Sequence, residues 1–238
     1  MPIVLKSRDP DAREIMDEPN CDLDRLHNTY RQFRFVNVIS RADWIYRHWI
    51  KPSIANPKQT CSLLDVGFGG GDIALQIACR ANRDGINLEV TGIEIDRRAY
   101  DYVLTLERPE NVAFRLVDIH ELAARGERFD FVISNHMVHH LDRHEFNRML
   151  EAAVRICKRC VLFIDLRRSD LAYVLFAAAA YPLFHKSYIV HDGLVSLRRS
   201  YTFHELKGIA PPGWVVRRLF PFRLVLSYCR TQLENHGS

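Results

Sequence analysis

The glycine-rich stretch from Leu63 to Asp72 constrains the fold more than any other part of the sequence. An apolar segment, Leu63 to Val66, runs into alternating glycines at Gly67, Gly69 and Gly71, and a helical pattern begins directly after them. This order is typical of a buried strand, a tight turn and a helix whose first backbone N–H groups are open. Glycine permits positive φ angles and lets a ligand approach the backbone closely. The turn therefore predicts a ligand site.

The spacing of these glycines excludes two common nucleotide-binding loops. A dinucleotide-binding loop has the pattern G-x-G-x-x-G, but the sixth position is Asp72 when counted from Gly67 and Ala74 when counted from Gly69. A P-loop ends in Gly-Lys-Ser/Thr, which does not follow here. The observed pattern is G-x-G-x-G preceded by Asp65. Taken alone, it is also compatible with a tight turn that binds no ligand.

Short β segments alternate with helical segments through the centre of the chain. This alternation predicts an α/β fold built from parallel βαβ units, with ligands at the carboxyl ends of the strands. Two further segments near the end of the chain predict an antiparallel hairpin. The strand segments are residues 63–66, 88–94, 112–117, 129–134 and 160–166, followed by 214–219 and 222–228 in the hairpin.

Local capping signals mark where the helices between these strands begin. Asp96 suits the N-cap of the helix that follows the second strand. Asp142 and Glu145, and later Thr202 and Glu205, have the spacing of capping boxes. These signals predict helices that start at Arg97, close after Asp142 and close after Thr202.

Polar residues end the second, third and fourth strand segments. Glu94 ends the second segment about 25 positions after Gly69, and a carboxylate there can accept both hydroxyl protons of a ribose. Asp118 follows the third segment, and Asn135 follows the fourth. Since the carboxyl ends of parallel strands meet at one edge of a sheet, these side chains are expected at the same edge as the glycine turn.

These motifs, in this order, resemble those of the class I S-adenosylmethionine-dependent methyltransferases over about Thr60 to Leu166. The resemblance implies a Rossmann-like, doubly wound, mostly parallel seven-stranded sheet with a C-terminal antiparallel hairpin, and S-adenosyl-L-methionine as the cofactor. It also implies that Asp118 lies near the adenine amino group and that the backbone N–H of Ile119 meets a ring nitrogen. Phe68 stands where the family more often has a small residue. The expected cofactor-binding residues are Asp65, Gly67, Phe68, Gly69, Gly71, Glu94, Ile95, Asp118, Ile119 and Asn135.

The element after the fourth strand, Asn135 to Leu141, contains three histidines. It resembles the corresponding element of ubiquinone/menaquinone-biosynthesis-type and secondary-metabolite methyltransferases. A phenol or enol acceptor must lose its proton, and a histidine titrates near neutral pH, so the candidate catalytic residues are His139, His140 and His136. A purely structural role for His139 or His140, holding the loop by hydrogen bonds, stays open. No carboxylate joins the histidines with ligand spacing, so we expect no metal.

The remaining sequence predicts an N-terminal arm and helical cap over residues 1–57 and a methyltransferase domain over residues 58–238. The first 20 residues are polar and predict a loose arm, and a helical pattern runs from Asp22 to about Trp49. A lid insertion over residues 167–200 follows the fifth strand. Its aromatic residues favour an aromatic or lipidic small-molecule substrate, although an extra packed helix with a dimer role is an alternative.

Composition narrows the partners and the compartment. The formal net charge is only +4 and the arginines are scattered, so we expect no nucleic-acid partner. Six dispersed cysteines favour a reduced, cytoplasmic protein. The apolar stretch from Leu171 to Phe184 is broken by Pro182 and is too short for a membrane span. A monomer or homodimer is expected.

The sequence thus predicts methyl transfer from S-adenosylmethionine to a hydroxyl, or a carbon, of an aromatic, quinone or polyketide-like small molecule. Two alternatives stay open at this stage. One is a non-catalytic module that binds S-adenosylmethionine for regulation. The other, less favoured, is a nucleic-acid methyltransferase, which would need a dense basic surface that the sequence does not contain.

Overall fold

A computed structural model describes residues 2–38 and 41–230 of the chain. Within these residues, seven strands form one sheet in the order β3-β2-β1-β4-β5-β7-β6. Strand β1 pairs in parallel with β2 and β4, β2 pairs in parallel with β3, and β6 pairs antiparallel with β7. This mostly parallel sheet with a terminal hairpin confirms the expected fold class. The strands are β1 (Cys61–Val66), β2 (Leu88–Glu94), β3 (Val112–Leu116), β4 (Phe129–Asn135), β5 (Cys157–Leu166), β6 (Val215–Leu219) and β7 (Arg223–Cys229).

Helices connect the strands and form most of the N-terminal segment and of the stretch after β5. The predicted caps are confirmed: Asp96 accepts from the backbone N–H of Arg98, and Thr202 and Glu205 form a complete capping box. The described α-helices are α1 (Leu23–Val38), α2 (Arg41–Ile45), α3 (Asp72–Arg83), α4 (Arg97–Val103), α5 (Ile119–Ala124), α6 (Arg143–Ile156), α7 (Asp170–Leu183), α8 (Ile189–Arg199) and α9 (Phe203–Ile209).

The described residues pack into two compact units. Of the described residues, the first unit draws on 2–33, 136–146 and 163–227, and the second on 34–38, 41–135, 147–162 and 228–230. Strands β1 to β4 lie in the second unit, together with α3, α4 and α5. Helices α7, α8 and α9 lie in the first unit with the N-terminal arm.

The packing of the core of the second unit explains one of its glycines, Gly92. Phe68 is buried, and its ring lies 4.7 Å from that of Phe114. Both rings press against Gly92 in β2, where a Cβ atom would come within 2.7 Å of Phe114 and 2.9 Å of Phe68. Phe68 thus fills a space that a side chain on β2 would otherwise occupy.

The segment from Asp22 to about Trp49, predicted to be helical, is helical in its described residues over Leu23–Val38 and from Arg41 onward. After α2 the chain forms a π-helical turn, Tyr46–Ile50, and then a 3-10 turn, Lys51–Ser53. The hydroxyl of Tyr46 donates to Asp84 at 3.0 Å, which ties the π-helical turn to the end of α3 within the second unit. Residues 39 and 40, which belong to the predicted pattern, lie outside the described residues.

The N-terminal arm of the first unit is bound, so the expectation of a loose arm is wrong. Asp170 at the start of α7 accepts from the backbone N–H groups of Val4 and Leu5 at 3.0 and 2.9 Å. Arg168 is buried and donates to the carbonyls of Leu5 and Ser200. Residues far apart in the sequence hold the arm, and local polarity did not reveal this.

The expectation of reduced cysteines is also wrong at one pair. Cys160 in β5 and Cys229 at the end of β7 form a disulfide, with Cα atoms 4.2 Å apart. Strands β5 and β7 are neighbours in the sheet, so residues separated by 69 positions come together. Cys157, which has C-x-x-C spacing to Cys160, is a free and buried thiol.

Helix α7 corresponds to the apolar stretch noted in the sequence. Leu171, Val174 and Leu175 are exposed on its surface, and Pro182 lies inside its last turn. Among the residues that the structure describes, no helix has the length and apolar character needed to cross a bilayer.

A glycine-to-alanine pair tests the packing around β2. Replacing Gly92 by Ala places a Cβ within 2.7 Å of Phe114, so we expect a loss of about 1–3 kcal/mol in the free energy of unfolding. The control is Gly208→Ala in α9, where no atom lies within 4 Å of the added Cβ and the helix gains up to ~1 kcal/mol. Urea unfolding measures both; equal stability of the two variants would contradict this packing.

Candidate functional site

The glycine turn between β1 and α3 has the geometry that the sequence predicts. Gly67, Gly69 and Gly71 all adopt positive φ, at 72°, 52° and 74°, a region that favours glycine. A Cβ on Gly69 would meet no atom within 4 Å, so the backbone there is open to a ligand. A Cβ on Gly71 would come within 2.9 Å of Phe114 and Val103. Packing therefore requires a glycine at position 71, whereas the backbone at Gly69 is open for a ligand to approach closely.

Two buried polar atoms beside this turn lack a hydrogen-bond partner within the described part of the chain. They are Oδ2 of Asp65, in β1, and Oδ1 of Asn135, the last residue of β4. An unsatisfied buried acceptor costs about 1–3 kcal/mol, and such atoms call for a ligand that donates to them. Both lie in the second unit, as the glycine turn does.

Asp65 is a carboxyl group in an unfavourable position for a charge. Burial raises its pKa, and the negative charges of Asp72 and Glu94 raise it further, to about 8. The side chain is 2% exposed. A bound cation would reverse these effects and favour the ionised carboxylate.

Glu94 closes the other side of the turn. One carboxylate oxygen accepts from the backbone N–H of Gly69 at 3.2 Å, and the other accepts from Ile95 at 2.8 Å. Burial raises its pKa, and these backbone hydrogen bonds oppose that shift. The predicted register between β2 and the glycines is thus present, with the carboxylate held at the turn. The side chain of Ile95 is 72% exposed.

The remaining expected cofactor residues have structural roles as well. Asp118 accepts from the backbone N–H of His120 at 2.6 Å and so caps α5. Ile119 is buried in the first turn of that helix. The side chain of Phe68 packs on Phe114, which leaves its backbone as the part that borders the turn.

The three candidate histidines lie in the first unit and differ from one another. His136 adopts a positive φ of 60°, and its Nε2 atom contacts the guanidinium of Arg223. His139 is 1% exposed and lies between two carboxylates: Nδ1 is 2.7 Å from Asp165, and Nε2 is 3.3 Å from Glu14. The side chains of Glu14, His139 and Asp165 form one buried group with His139 at its centre.

His140 is the partly exposed neighbour of this group. Its Nε2 atom lies 3.7 Å from Glu14, and its Nδ1 atom lies 3.3 Å from Asp17. Burial alone would lower the pKa of His139, but the charges of Asp165 and Glu14 outweigh burial and raise that pKa to about 9. The same interactions hold the pKa of Asp165 below its usual value despite burial.

Glu14 and Asp165 were missed by the sequence analysis. Asp165 lies near the end of β5, so its position at a strand end was a usable signal. Glu14 lies 125 residues before His139, and no local pattern points to it. It is positioned by the 3-10 turn Ile15–Asp17, whose first two backbone N–H groups donate to Asp192 at 2.9 and 3.0 Å.

Comparison with known proteins finds a family model that covers the central part of the chain. Residues 63–160 match the family model described as a methyltransferase domain. The matched range begins in β1 and ends in β5, so it contains the glycine turn, Glu94, Asp118 and Asn135.

Individual relatives and solved structures agree with this match. The chain is 26% identical over 173 residues to the ubiquinone/menaquinone biosynthesis C-methyltransferase UbiE of Rickettsia typhi, covering 66% of this chain and 69% of that protein. It is 36% identical over 83 residues to the release factor glutamine methyltransferase of Salmonella typhimurium, covering 33% and 28%. The structure of the plantazolicin methyltransferase BpumL in complex with S-adenosylhomocysteine matches with a TM-score of 0.66 at 12% identity, covering 92% and 95%.

The sheet, the glycine turn and these matches support a class I S-adenosylmethionine-dependent methyltransferase. The matched domain is an enzyme domain, and S-adenosylmethionine is its cofactor. The site fits that cofactor, because it offers open glycine backbone at Gly69 and unsatisfied acceptors at Asp65 and Asn135.

Replacing Asp65 by Asn separates stability from cofactor binding. The folded-state pKa of Asp65 is about 8, against 3.8 for an ordinary aspartate. Unfolding therefore releases this proton between about pH 4 and 8, so wild-type stability falls as the pH rises across that range. Relative to wild type without cofactor, Asp65→Asn should gain about 2 kcal/mol at pH 5 and about 5–6 kcal/mol at pH 9. Its affinity for S-adenosylhomocysteine should fall about tenfold or more.

Thermal unfolding at several pH values and calorimetric titration measure these two effects. The control is Asp101→Asn, which removes an exposed carboxylate paired with Arg97 at 2.8 Å and should leave both the pH profile and the affinity unchanged. If the stability of Asp65→Asn depended on pH as that of the wild type does, Asp65 would not be a buried carboxyl with a raised pKa.

Proposed function

We propose that this enzyme transfers the methyl group of S-adenosylmethionine to a hydroxyl, or to a carbon, of an aromatic, quinone or polyketide-like small molecule. The observation that carries the cofactor part is the pair of buried, unsatisfied acceptors on Asp65 and Asn135 beside the open glycine turn. We propose Asp65, the three glycines, Glu94, Ile95, Asp118, Ile119, Asn135 and the backbone of Phe68 as the residues that hold the cofactor.

The choice of a small-molecule acceptor is supported by the relative that covers most of the chain. UbiE is named for ubiquinone and menaquinone biosynthesis, and the match extends over two thirds of this chain. The match to the release factor glutamine methyltransferase covers 28% of that protein, which supports the shared cofactor chemistry more than a shared acceptor.

Two of the aromatic residues after β5 have structural roles, which leaves three as candidates for contact with an apolar acceptor. The ring of Phe176 packs against Gly193, where a Cβ would come within 2.4 Å of it, so this aromatic joins α7 to α8. Tyr188 is buried, and its hydroxyl accepts from the backbone N–H of Asp22. Tyr173, Tyr181 and Phe184 remain our candidates for contact with an aromatic substrate.

The chemistry requires little covalent help from the protein. When bound, S-adenosylmethionine would supply an electrophilic methyl group on its sulfonium, with S-adenosylhomocysteine as the leaving group. The protein must align the two reactants and accept the acceptor's proton.

We propose the pair His139 and His140 as the place where the acceptor's proton is removed. His140 is the more accessible of the two, with Asp17 behind its Nδ1 atom. His139 is enclosed by Glu14 and Asp165, so its part is to position His140 and Glu14. His136, bound to Arg223, is the third candidate.

Two alternatives make different predictions. A regulatory module would bind S-adenosylmethionine and transfer no methyl group to any acceptor. A nucleic-acid methyltransferase would bind RNA or DNA with strong salt dependence. A cytoplasmic location and a monomeric or dimeric state remain predictions from the sequence.

A methyl-transfer assay with radiolabelled cofactor and a panel of phenols, naphthols, quinols and prenylated quinols tests the proposal. Product analysis distinguishes O-methylation from C-methylation. We expect turnover of at least one aromatic acceptor and none of RNA, DNA or a glutamine-containing peptide. Cofactor binding without turnover of any acceptor would favour the regulatory module.

Replacing Glu94 by Gln tests the ribose contact. Loss of the carboxylate removes a charge-assisted acceptor, which is worth about 1.5–3 kcal/mol, so affinity for S-adenosylhomocysteine should fall about 10- to 100-fold. The matched control is Glu89→Gln, an exposed position on the same strand, which should bind like wild type. Equal affinities of the two variants, measured by calorimetry, would contradict the assignment of Glu94.

A further inference from the structure

We propose that Glu14, His139 and His140 form a binding site for a divalent transition-metal ion, with zinc as the best fit. One ligand atom from each residue lies within 4.8 Å of the other two. From the sequence no metal is expected, because no carboxylate cluster joins the histidines with ligand spacing. The fold supplies a carboxylate from the arm, 125 residues away from His139.

The distances between these atoms suit a tetrahedral ion. Nε2 of His139 lies 3.3 Å from Oε1 of Glu14, and Nε2 of His140 lies 3.7 Å from the same oxygen. In tetrahedral zinc sites the metal–ligand distances of ~2.0–2.1 Å place neighbouring ligand atoms about 3.3 Å apart. Small side-chain shifts would bring all three atoms to bonding distance.

Each imidazole also has the partner that metal-binding histidines usually have. Nδ1 of His139 lies 2.7 Å from Asp165, and Nδ1 of His140 lies 3.3 Å from Asp17. A carboxylate behind Nδ1 holds the proton on that nitrogen and leaves Nε2 free to bind a metal. Both Nε2 atoms face Glu14, so the two carboxylate–histidine pairs converge on one point. A histidine with a purely structural role needs one such pair, whereas two pairs that face the same carboxylate are typical of a metal site.

The third ligand is also fixed in place. Ser196 in α8 donates to Oε1 of Glu14 at 2.7 Å, and Asp192 in the same helix holds the turn Ile15–Asp17 that carries Asp17. Glu14 is nine-tenths or more buried, while His140 is 28% exposed on its side chain. The site is therefore rigid on one side and accessible to an ion on the other.

Burial of the carboxylates gives an energetic reason for a cation. Glu14 and Asp165 are both buried, with His139 between them. Buried charges must be paired or bound to a metal to be tolerated. Without an ion, a protonated His139 pairs with both carboxylates and forms a carboxylate–imidazolium–carboxylate bridge. An ion would take the place of the proton on Nε2.

Three protein ligands leave the fourth position of a tetrahedral ion open, as in catalytic zinc sites. With the ion bound, Nε2 of His140 would be a metal ligand and not a base, and the ion would instead lower the pKa of an acceptor hydroxyl bound at its open position. This catalytic role of the ion would replace His140 as the means of deprotonation and rests on the proposed function. Metal binding itself does not, and it can be measured without cofactor or acceptor.

Metal content and cobalt spectroscopy on the full-length protein test the site. After dialysis against zinc and then metal-free buffer, we expect one zinc per chain, and the cobalt-loaded protein should show the intense visible absorption of a four-coordinate ion. Glu14→Gln and His140→Ala should abolish that spectrum and lower zinc affinity at least ~100-fold, since each removes a direct ligand. The control is His144→Ala, an exposed histidine four residues after His140.

Positioning variants keep the test valid if a ligand variant fails to fold. Asp17→Asn, at a half-exposed side chain, should lower zinc affinity about tenfold while circular dichroism and thermal unfolding without metal stay unchanged. A protein without bound zinc and without a four-coordinate cobalt spectrum would overturn the proposal. So would zinc binding that survives Glu14→Gln, which would place the ion elsewhere, for example at the free cysteines.

Discussion

The second unit depends on one conformational constraint, the left-handed turn between β1 and α3. Three residues there require positive φ, and one of them, Gly71, is also pressed against Phe114 and Val103. Only glycine satisfies both conditions without strain. The turn exposes backbone at Gly69, holds the Glu94 carboxylate through that residue's N–H, and lies beside the buried Asp65. The proposed cofactor site thus depends first on backbone geometry and second on side-chain chemistry.

The first unit depends on long-range polar contacts instead. Arg8 in the arm donates to the carbonyl of His139 at 2.7 Å and to the hydroxyl of Tyr201 at 2.8 Å. Asp192 fixes the turn after Glu14. A buried carboxylate is costly unless it is paired, so the cluster of Glu14, His139 and Asp165 forms only if the arm is held in place.

The features that the sequence predicted are those with short-range causes. The strand-turn-helix around Gly67, the acid at Glu94 and the caps at Asp96 and Thr202 all follow from neighbours within a few residues, and the structure contains them. The mostly parallel sheet and the hairpin followed from the alternation of elements and from family resemblance. The features that it missed have causes that are distant in the sequence. The contact of Glu14 with His139 depends on how the arm folds back, and the Cys160–Cys229 disulfide depends on which strands are neighbours. The large side chain of Phe68 fits beside the turn because Gly92, on strand β2, has no side chain to occupy the same space.

The central claim is that the turn from Gly67 to Gly71, with Asp65 and Glu94, binds S-adenosylmethionine. Calorimetric titration of the folded wild-type protein with S-adenosylhomocysteine tests it most directly. We expect saturable binding of one molecule per chain, with an affinity that rises with pH as the Asp65 carboxyl, whose pKa without ligand is about 8, ionises and can pair with the cationic ligand. Folded protein that gives no saturable binding heat at any pH between about 6 and about 9 would contradict it.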